Sequence, residues 1–318
     1  PAVLGTTGGK ENLADMRTKG MELSFTWNDE IKNVAGSPLS YSVGIGISDN
    51  TSEITRYDNP TKSLNETYYE GMKIGEIWGY ETEGFIQDKT EAAEMADRQS
   101  FISTTWIPGD IKYADLDGNG KINQGNNRVG DSGDRKIIGN NTPRYNFNIN
   151  LGGSWKGFDL RLFFQGTMKR DIWLDSPIFW GYDGMWSSCL NDYHVDNSWS
   201  ATNTNAYYPV PLFDKRSKQV QSKYIQNGAF IRLKDVTLSY TIPKTLTSRI
   251  GIQQLKVYVS GQNLWEATGL YKYLDPDVVG SRRTSTADNK TVGDLAADAG
   301  GRVYPFTRSY SFGINVTF

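Results

Sequence analysis

Residues 144–166 read RYNFNINLGGSWKGFDLRLFFQG, and this stretch decides the fold. Over residues 145–151 every second residue is apolar, and the residues between them are asparagines. The alternation returns over residues 158–164, beyond a Lys156-Gly157 pair that is typical of a tight turn. Alternation with period two predicts β-strands that have one apolar face and one polar face. The stretch therefore predicts an antiparallel hairpin.

Other parts of the chain show the same alternation. They lie at residues 21–27, 39–47, 231–242, 255–260 and 310–318. Within residues 231–242 the apolar positions change phase, which predicts a β-bulge near Lys234 and Asp235. The sequence therefore predicts about seven strands of roughly 10 residues or more, whereas strands usually have about 5–6 residues.

The predicted connections between these strands alternate between short and long. The short ones lie at residues 28–38, 156–157 and 243–253. The long ones are excursions at about 56–143, 171–227 and 266–303. Short turns at one end of a sheet and long loops at the other end are typical of outer-membrane β-barrels, in which the long loops are extracellular.

A soluble antiparallel β-sandwich shows the same alternation, but two features of the strands favour a membrane barrel. The polar face carries small uncharged residues such as Ser42, Gly44 and Asn148, which suit a water-filled interior. Aromatic residues gather where strands meet the short connections, as expected at the level of the lipid headgroups. They are Trp27, Trp155, Phe158, Tyr240 and Phe318. The predicted fold class is all-β, with seven antiparallel strands of a transmembrane barrel.

Composition narrows the class of protein further. The formal net charge of the 318-residue chain is −2 and its pI is about 5.6, which gives no electrostatic case for binding nucleic acid. Cys189 is the single cysteine, so the chain has no disulfide framework and no cysteine-based metal site. The sequence has no apolar run long enough for a transmembrane helix and no signal peptide, and it begins at Pro1. Because seven strands do not close a barrel, we expect the remaining strands to precede Pro1.

Several segments together resemble the C-terminal barrel portion of SusC-like (SusC/RagA-type) TonB-dependent outer-membrane transporters of Bacteroidota. They read RTKGMELSFTW, IGEIWGYETEGFIQ, PGDIKYADLDGNGKI, IGNNTPRYNFNINLGGSWKGFDLRLFFQG, NGAFIRLKDVTLSYTIP, LKVYVSGQNLW and YPFTRSYSFGINVTF, and they follow the family order over nearly the whole chain. The resemblance implies a barrel of about 22 strands, to which this chain contributes the last seven. It also implies that the plug domain and the TonB-contacting segment are absent from this chain and are encoded upstream.

The resemblance also implies partners and a function. A SusD-like surface lipoprotein is expected to cover the extracellular loops, while outer-membrane lipid and the N-terminal remainder of the barrel surround the strands. The expected function is import of a nutrient without catalysis, with an oligosaccharide as the leading substrate and an oligopeptide as the alternative. The terminal strand resembles the signal that the barrel-insertion machinery reads. The residues of that signal are Phe312, Ile314, Val316 and Phe318.

The segment YADLDGNGKIN at residues 113–123 resembles the first part of a calcium-binding loop. Calcium prefers six to eight oxygen ligands, which such loops supply at positions 1, 3, 5, 7, 9 and 12. The first five positions are Asp115, Asp117, Asn119, the carbonyl of Lys121, and Asn123. Position 12 is Asn126 rather than the usual Glu, and either Asp131 or Asp134 is a candidate to replace it. The expected cofactor is structural Ca²⁺, or Mg²⁺, and the alternative is a set of Asx turns without an ion.

The second excursion is rich in aromatic residues, which suit a surface that contacts substrate. The candidate substrate-binding residues are Trp173, Trp180, Tyr182, Trp186, Tyr207 and Tyr208. The alternative is that most of these rings pack inside a folded loop. His194 has neither a cysteine nor a second histidine near it, which argues against a metal site or a catalytic triad.

Two other functional classes stay open on the sequence alone. One is a secreted glycan-binding β-sandwich stiffened by calcium, and the other is a β-rich glycoside hydrolase. Both are expected to be freely soluble, whereas a barrel needs detergent for extraction from the membrane.

Overall fold

The computed structural model describes residues 12, 14–182, 188–279 and 305–318. Strands in these residues are β1 Ala14–Val34, β2 Ser37–Tyr57, β3 Glu76–Tyr80, β4 Thr82–Phe85, β5 Ile111–Tyr113, β6 Arg135–Asn140, β7 Arg144–Trp155, β8 Phe158–Lys169, β9 Asp171–Ile172, β10 Gln226–Asn227, β11 Phe230–Thr241, β12 Gln254–Thr268 and β13 Ser309–Thr317. The α-helices are α1 Lys89–Arg98, α2 Pro177–Trp180, α3 Asp192–Asn197 and α4 Lys244–Thr247. No helix within these ranges combines the length and the apolar character needed to cross a membrane.

The main sheet has seven strands in the order β1-β2-β7-β8-β11-β12-β13, and every neighbouring pair is antiparallel. Each strand of the sheet pairs with the preceding and following sheet strand along the chain, so the sheet is a simple meander. The prediction of an all-β chain with seven antiparallel strands is confirmed.

Register aligns the apolar residues of neighbouring strands into continuous rows on one face. In one row Phe25 is opposite Ile45, and Ile45 is opposite Ile149. In another, Leu160, Leu238, Val259 and Phe312 follow one another across four strands. The opposite face carries small polar residues, which include Ser24, Gly46 and Asn148 in one row. The large side chains of the apolar face, such as Phe25 and Val259, are mainly exposed, so no other part of the described chain covers that face.

Two of the short connections are two-residue turns. At Lys156-Gly157 the φ angles are +49° and +83°, and at Ala35-Gly36 they are +48° and +83°. Positive φ at both central residues identifies type I′ turns, which match the twist of the flanking strands. The prediction at residues 156–157 is confirmed, but the linker predicted at 28–38 is wrong, because β1 continues to Val34 and β2 begins at Ser37. Backbone pairing persists there although the apolar alternation has ended.

The predicted bulge is confirmed in β11. Leu233 is opposite Phe164 of β8 and Asp235 is opposite Phe163, so Lys234 is the additional residue. The same shift occurs against β12. An extra residue reverses the faces on which the following side chains lie, which is why the apolar pattern changes phase at this point.

The three long connections leave the same end of the sheet and contain their own structure. The first contains β3–β6 and α1, with Asp88 as the N-cap of α1. The second contains β9, β10, α2 and α3. A shared hydrophobic core joins the excursions, with Tyr113 from the first and Phe179 from the second. The third excursion adds Tyr271 to this core.

Candidate functional site

Aromatic rings of the second excursion form the centre of the core that the excursions share. The Trp180 ring is 5.1 Å from the Phe179 ring and 4.8 Å from the Tyr224 ring. Both contacts are edge-to-face, a geometry that stabilises aromatic pairs beyond the burial of their area. Trp180 and Tyr208 are 3% and 2% exposed, so these rings are interior packing residues.

A buried ion pair ties the first excursion to the second. Asp110 accepts hydrogen bonds from Nε of Arg216 and from the hydroxyl of Ser217, each at 2.8 Å. It also accepts a hydrogen bond from the backbone amide of Ile107 at 2.9 Å. Burial raises the pKa of Asp110, while these donors oppose that rise. The pair fixes the position of residues 214–221 beside the first excursion.

A cleft of about 420 Å³ lies between these two excursions. Its wall includes the ribbon made by β3 and β6, and its opposite side includes residues 215–220 and Trp173. The amide of Tyr80 donates to the carbonyl of Val220 at 2.8 Å, which joins the two excursions at the cleft lining. Aromatic side chains that line it are Tyr68, Tyr69, Trp78, Tyr80 and Trp173. Charged side chains that line it are Glu66, Glu76, Arg135, Asp175, Lys215 and Lys218.

Hydrogen bonds hold the aromatic side chains of the cleft in place. The hydroxyl of Tyr69 donates to a carboxylate oxygen of Glu76 and accepts from Nε1 of Trp78 at 3.3 Å. The second oxygen of Glu76 accepts from the amide of Lys73 at 3.0 Å. Burial, together with the Glu76 carboxylate, raises the pKa of Tyr69 well above its usual value. The cleft therefore presents Trp78 as a fixed ring with its indole N–H already satisfied.

The calcium-like loop brings three carboxylates together beside this region. Oxygen atoms of Asp115, Asp117 and Asp134 lie within 4.8 Å of one another. The Asp134 carboxylate accepts hydrogen bonds from the amides of Leu116 and Asn123, each at 2.8 Å, and so joins two separate positions of the loop. Hydrogen bonds from the loop amides, first that of Gly120, lower the pKa of Asp115.

Of the two residues considered for the missing ligand, the structure brings Asp134 to the cluster. Asp131 instead accepts a hydrogen bond from the side-chain amide of Asn126 at 2.5 Å. The side-chain oxygens of Asn119 and Asn123 accept from the amides of Lys121 and Gly125 at 2.8 Å and 2.6 Å. These contacts are the Asx turns of the alternative interpretation, and the carboxylate cluster is the arrangement expected for a cation.

Comparison with known proteins identifies relatives of the chain. No protein-family model matches it. Over its whole length it is 29% identical to TonB-dependent receptor P3 and 23% identical to TonB-dependent receptor P26, both of Formosa agariphila. The chain is similar to TonB-dependent receptors. It spans 30% and 31% of the length of these two relatives.

Solved structures show the same fold. The chain superimposes over its full length on the RagAB peptide transporter with a TM-score of 0.66 at 22% identity, and it covers 31% of that chain. For the RagAB peptide importer in the closed-closed state the TM-score is 0.67, again at 22% identity and 31% coverage. The resemblance seen in the sequence motifs is therefore confirmed, and the chain is part of an outer-membrane protein, with seven strands that are barrel strands. The total of about 22 strands stays a prediction.

The structure places the candidate substrate-binding residues in different environments. Trp173 lines the cleft although it is only 6% exposed, whereas Trp180 and Tyr208 are sealed in the core as packing residues. Tyr182 is half-buried beside Phe213, with ring centroids 6.3 Å apart. Tyr207 is half-buried, and its hydroxyl accepts from Nε2 of Gln226 at 3.0 Å. Trp186 lies outside the described residues.

Sequence reasoning missed the aromatic residues of the first excursion, which contribute most of the rings in the cleft. Tyr68, Tyr69 and Trp78 stand in a segment without periodicity, and only their density within residues 68–80 marks them. The second excursion carries more rings, but most of those are used to build the core. His194 is also a core residue, with Nε2 at 3.0 Å from the carbonyl oxygen of Phe179.

The terminal strand β13 places the proposed insertion signal on the apolar face at the edge of the sheet. Phe312, Ile314 and Phe318 are 70%, 56% and 81% exposed, and Val316 is 40% exposed. Phe312 and Ile314 are opposite Val259 and Val257 of β12. Their role in insertion stays a prediction.

Proposed function

We propose that the receptor to which this chain belongs imports an oligosaccharide across the outer membrane. The observation that carries this proposal is the cleft between the first and second excursions, at the end of the sheet from which all long connections leave. Rings such as Trp78 offer flat apolar faces to sugar rings, while Gln124, Asn141 and Gln219 offer amides to hydroxyls. Apolar rings with a few convergent polar groups are typical of small-molecule sites.

Energy for import comes, in this proposal, from the TonB complex acting on a plug domain. The chain's own residues supply binding and positioning, because the ion pair of Asp110 with Arg216 holds the two sides of the cleft together. No bond of the substrate is broken. The proposed role of the TonB complex agrees with the names of the two relatives, TonB-dependent receptors P3 and P26.

An oligopeptide is the second candidate substrate, and one observation favours it. Side chains of both charges line the cleft, as would suit a ligand with an amino group and a carboxylate, and Glu66 and Lys215 are exposed examples. The solved relatives with the same fold are named as a peptide transporter and a peptide importer.

The test measures uptake by cells that express the receptor as their sole importer of its type. Cells receive fluorescent oligosaccharide and oligopeptide mixtures, with and without a functional TonB complex. We expect TonB-dependent uptake of oligosaccharides that Trp78→Ala reduces about tenfold or more, since burial of a large apolar side chain contributes on the order of 1.5–3 kcal/mol. Phe101→Ala is the matched control, because Phe101 is an exposed ring of the same excursion outside the cleft. Uptake of peptides alone would replace the first candidate with the second.

We propose a SusD-like surface lipoprotein as the partner that covers the long excursions. Support comes from the fold shared with the RagAB chains. Affinity purification of the tagged receptor in mild detergent is expected to recover a stoichiometric lipoprotein, encoded beside it. Recovery of the receptor alone under several detergents would count against the partner.

We propose that Asp115, Asp117 and Asp134 hold a structural Ca²⁺ ion, with the Lys121 carbonyl and the Asn119 and Asn123 side chains as further oxygen ligands. The donor set fits, because hard divalent cations prefer oxygen ligands and three carboxylates supply most of the charge. The ion would stiffen the loop that leads into β6 and the cleft.

Metal analysis of the purified receptor tests the ion. We expect about one calcium per receptor above the content of an Asp134→Asn variant, and faster hydrogen exchange over residues 115–134 after chelation. Asp131→Asn is the matched control, since Asp131 lies outside the carboxylate cluster. Equal metal content in all three proteins would leave the Asx turns as the complete explanation of the motif.

A further inference from the structure

The guanidinium of Arg135 lines the cleft, and few groups of the protein offset its positive charge. Arg135 begins β6 and is opposite Tyr80 of β3, and both residues line the cleft. The neighbouring Lys136 lies on the other face of the strand and forms an ion pair with Glu81. Alternation along the strand therefore directs Arg135 toward the cleft and Lys136 away from it.

No carboxylate in the described part of the chain forms an ion pair with Arg135. One guanidinium nitrogen, Nη2, donates to the neutral side chain of Asn127, and Nε is buried without a hydrogen-bond partner. The adjacent carboxylate of Asp134 is directed elsewhere, to the amides of Leu116 and Asn123. A buried donor without a partner is costly, and native proteins keep such groups mainly where function uses them.

Acidic residues of the cleft do not supply the missing counter-charge. Both oxygens of Glu76 are engaged, by the hydroxyl of Tyr69 and the amide of Lys73. Glu66 is exposed, and no ion pair joins Glu66 or Asp175 to Arg135 among the described residues. Lys215 and Lys218 add two further cations to the lining.

From this imbalance we infer that the cleft selects acidic oligosaccharides, and that Arg135 is the specificity-determining residue that binds a carboxylate of the sugar. The inference rests on the proposed function, since it names the class of oligosaccharide taken at that site. A guanidinium binds a carboxylate through two parallel hydrogen bonds, a geometry that a lysine does not reproduce. The aromatic lining, with Trp78 and Tyr68, favours a sugar over an acidic peptide as the carrier of that carboxylate.

The experiment measures equilibrium binding to the full-length receptor in detergent. The probes are an array of uronate-containing oligosaccharides, each paired with its methyl-esterified counterpart, together with neutral oligosaccharides and oligoglutamate peptides. We expect wild-type receptor to bind acidic members of the array about 10- to 100-fold more tightly than their esters, the range of a charge-assisted hydrogen-bond pair. Arg135→Gln is expected to reduce this ratio to near one, and Arg135→Lys to restore part of it.

Lys136→Gln is the matched control, because it removes the same charge one residue away on the opposite face. It is expected to leave the acid-to-ester ratio unchanged. Equal binding of acids and esters by wild type, or an unchanged ratio in Arg135→Gln, would overturn the inference while binding of neutral sugars keeps the proposed function. Preference for oligoglutamate would overturn it in favour of acidic peptides. Absence of binding to every sugar in the array would overturn the inference together with the proposed function.

Discussion

The ion pair between Asp110 and Arg216 gives the most quantitative prediction, and the change to make is Asp110→Ala. The carboxylate is fully buried and accepts three hydrogen bonds, from Arg216, Ser217 and the amide of Ile107. Its removal leaves a guanidinium that is 10% exposed without its buried partner. Loss of one partner of a buried pair costs about 3–5 kcal/mol. Since 1.36 kcal/mol corresponds to a factor of ten, local opening becomes about 160- to 5,000-fold more frequent.

Hydrogen exchange in the detergent-solubilised receptor measures this opening, because exchange of buried amides reports local unfolding. Acceleration is expected in residues 107–113 and 215–221, which the pair joins. Asp214→Ala is the matched control, since Asp214 also pairs with Arg216, at 3.0 Å, but is 47% exposed. Its loss is expected to cost about 1 kcal/mol or less. Equal exchange in both variants, or acceleration confined to one excursion, would refute the argument that this pair ties the two sides of the cleft together.

Three further predictions concern the sheet, the core and the cleft. Ile149→Arg is expected to reduce the amount of folded receptor in outer membranes, because a cation on the lipid face costs about 2–4 kcal/mol near the midplane. Asn150→Arg is the control and is expected to be tolerated, because residue 150 lies on the other face of the sheet. Equal yields of heat-modifiable barrel from the two variants would contradict this prediction. Burial lowers the pKa of His194 below its ordinary value, so the unfolded state takes up the proton first and stability falls as pH decreases below about 6.5. Hydrogen exchange over residues 176–198, corrected for intrinsic rates, is expected to show this loss in wild type and to show it much less in His194→Gln. Trp173→Ala is expected to weaken sugar binding, whereas Trp78→Phe, which retains a ring, retains most of it.

Local pattern predicted the sheet well because its physical cause is local. Alternation along 145–151 and 158–164 follows directly from a strand with one face toward lipid and one toward water. The phase change at Lys234 follows equally from one extra residue in the strand. The turn at Ala35-Gly36 was not predicted because β1 and β2 keep their backbone pairing beyond Asp29, a polar residue that interrupts the apolar alternation between Trp27 and Ile31.

The cleft was only partly predictable, because its composition depends on contacts between distant segments. Trp173 and Trp180 are equally aromatic in the sequence, yet one lines the cleft and the other is enclosed by Phe179 and Tyr224. The packing of the excursions against one another decides which rings line the cleft. Arg135 is also unremarkable in sequence, and its missing counter-charge appears only when the directions of Asp134 and Glu76 are known.

TonB-dependent uptake of labelled oligosaccharide is the measurement that tests the central claim most directly. The comparison is between cells with wild-type receptor, with Trp78→Ala, with Phe101→Ala, and with wild-type receptor but no functional TonB complex. The account predicts uptake in the first and third strains, at least about a tenfold reduction in the second, and none above background in the fourth. Undiminished oligosaccharide uptake by Trp78→Ala, or uptake that persists without the TonB complex, would contradict it.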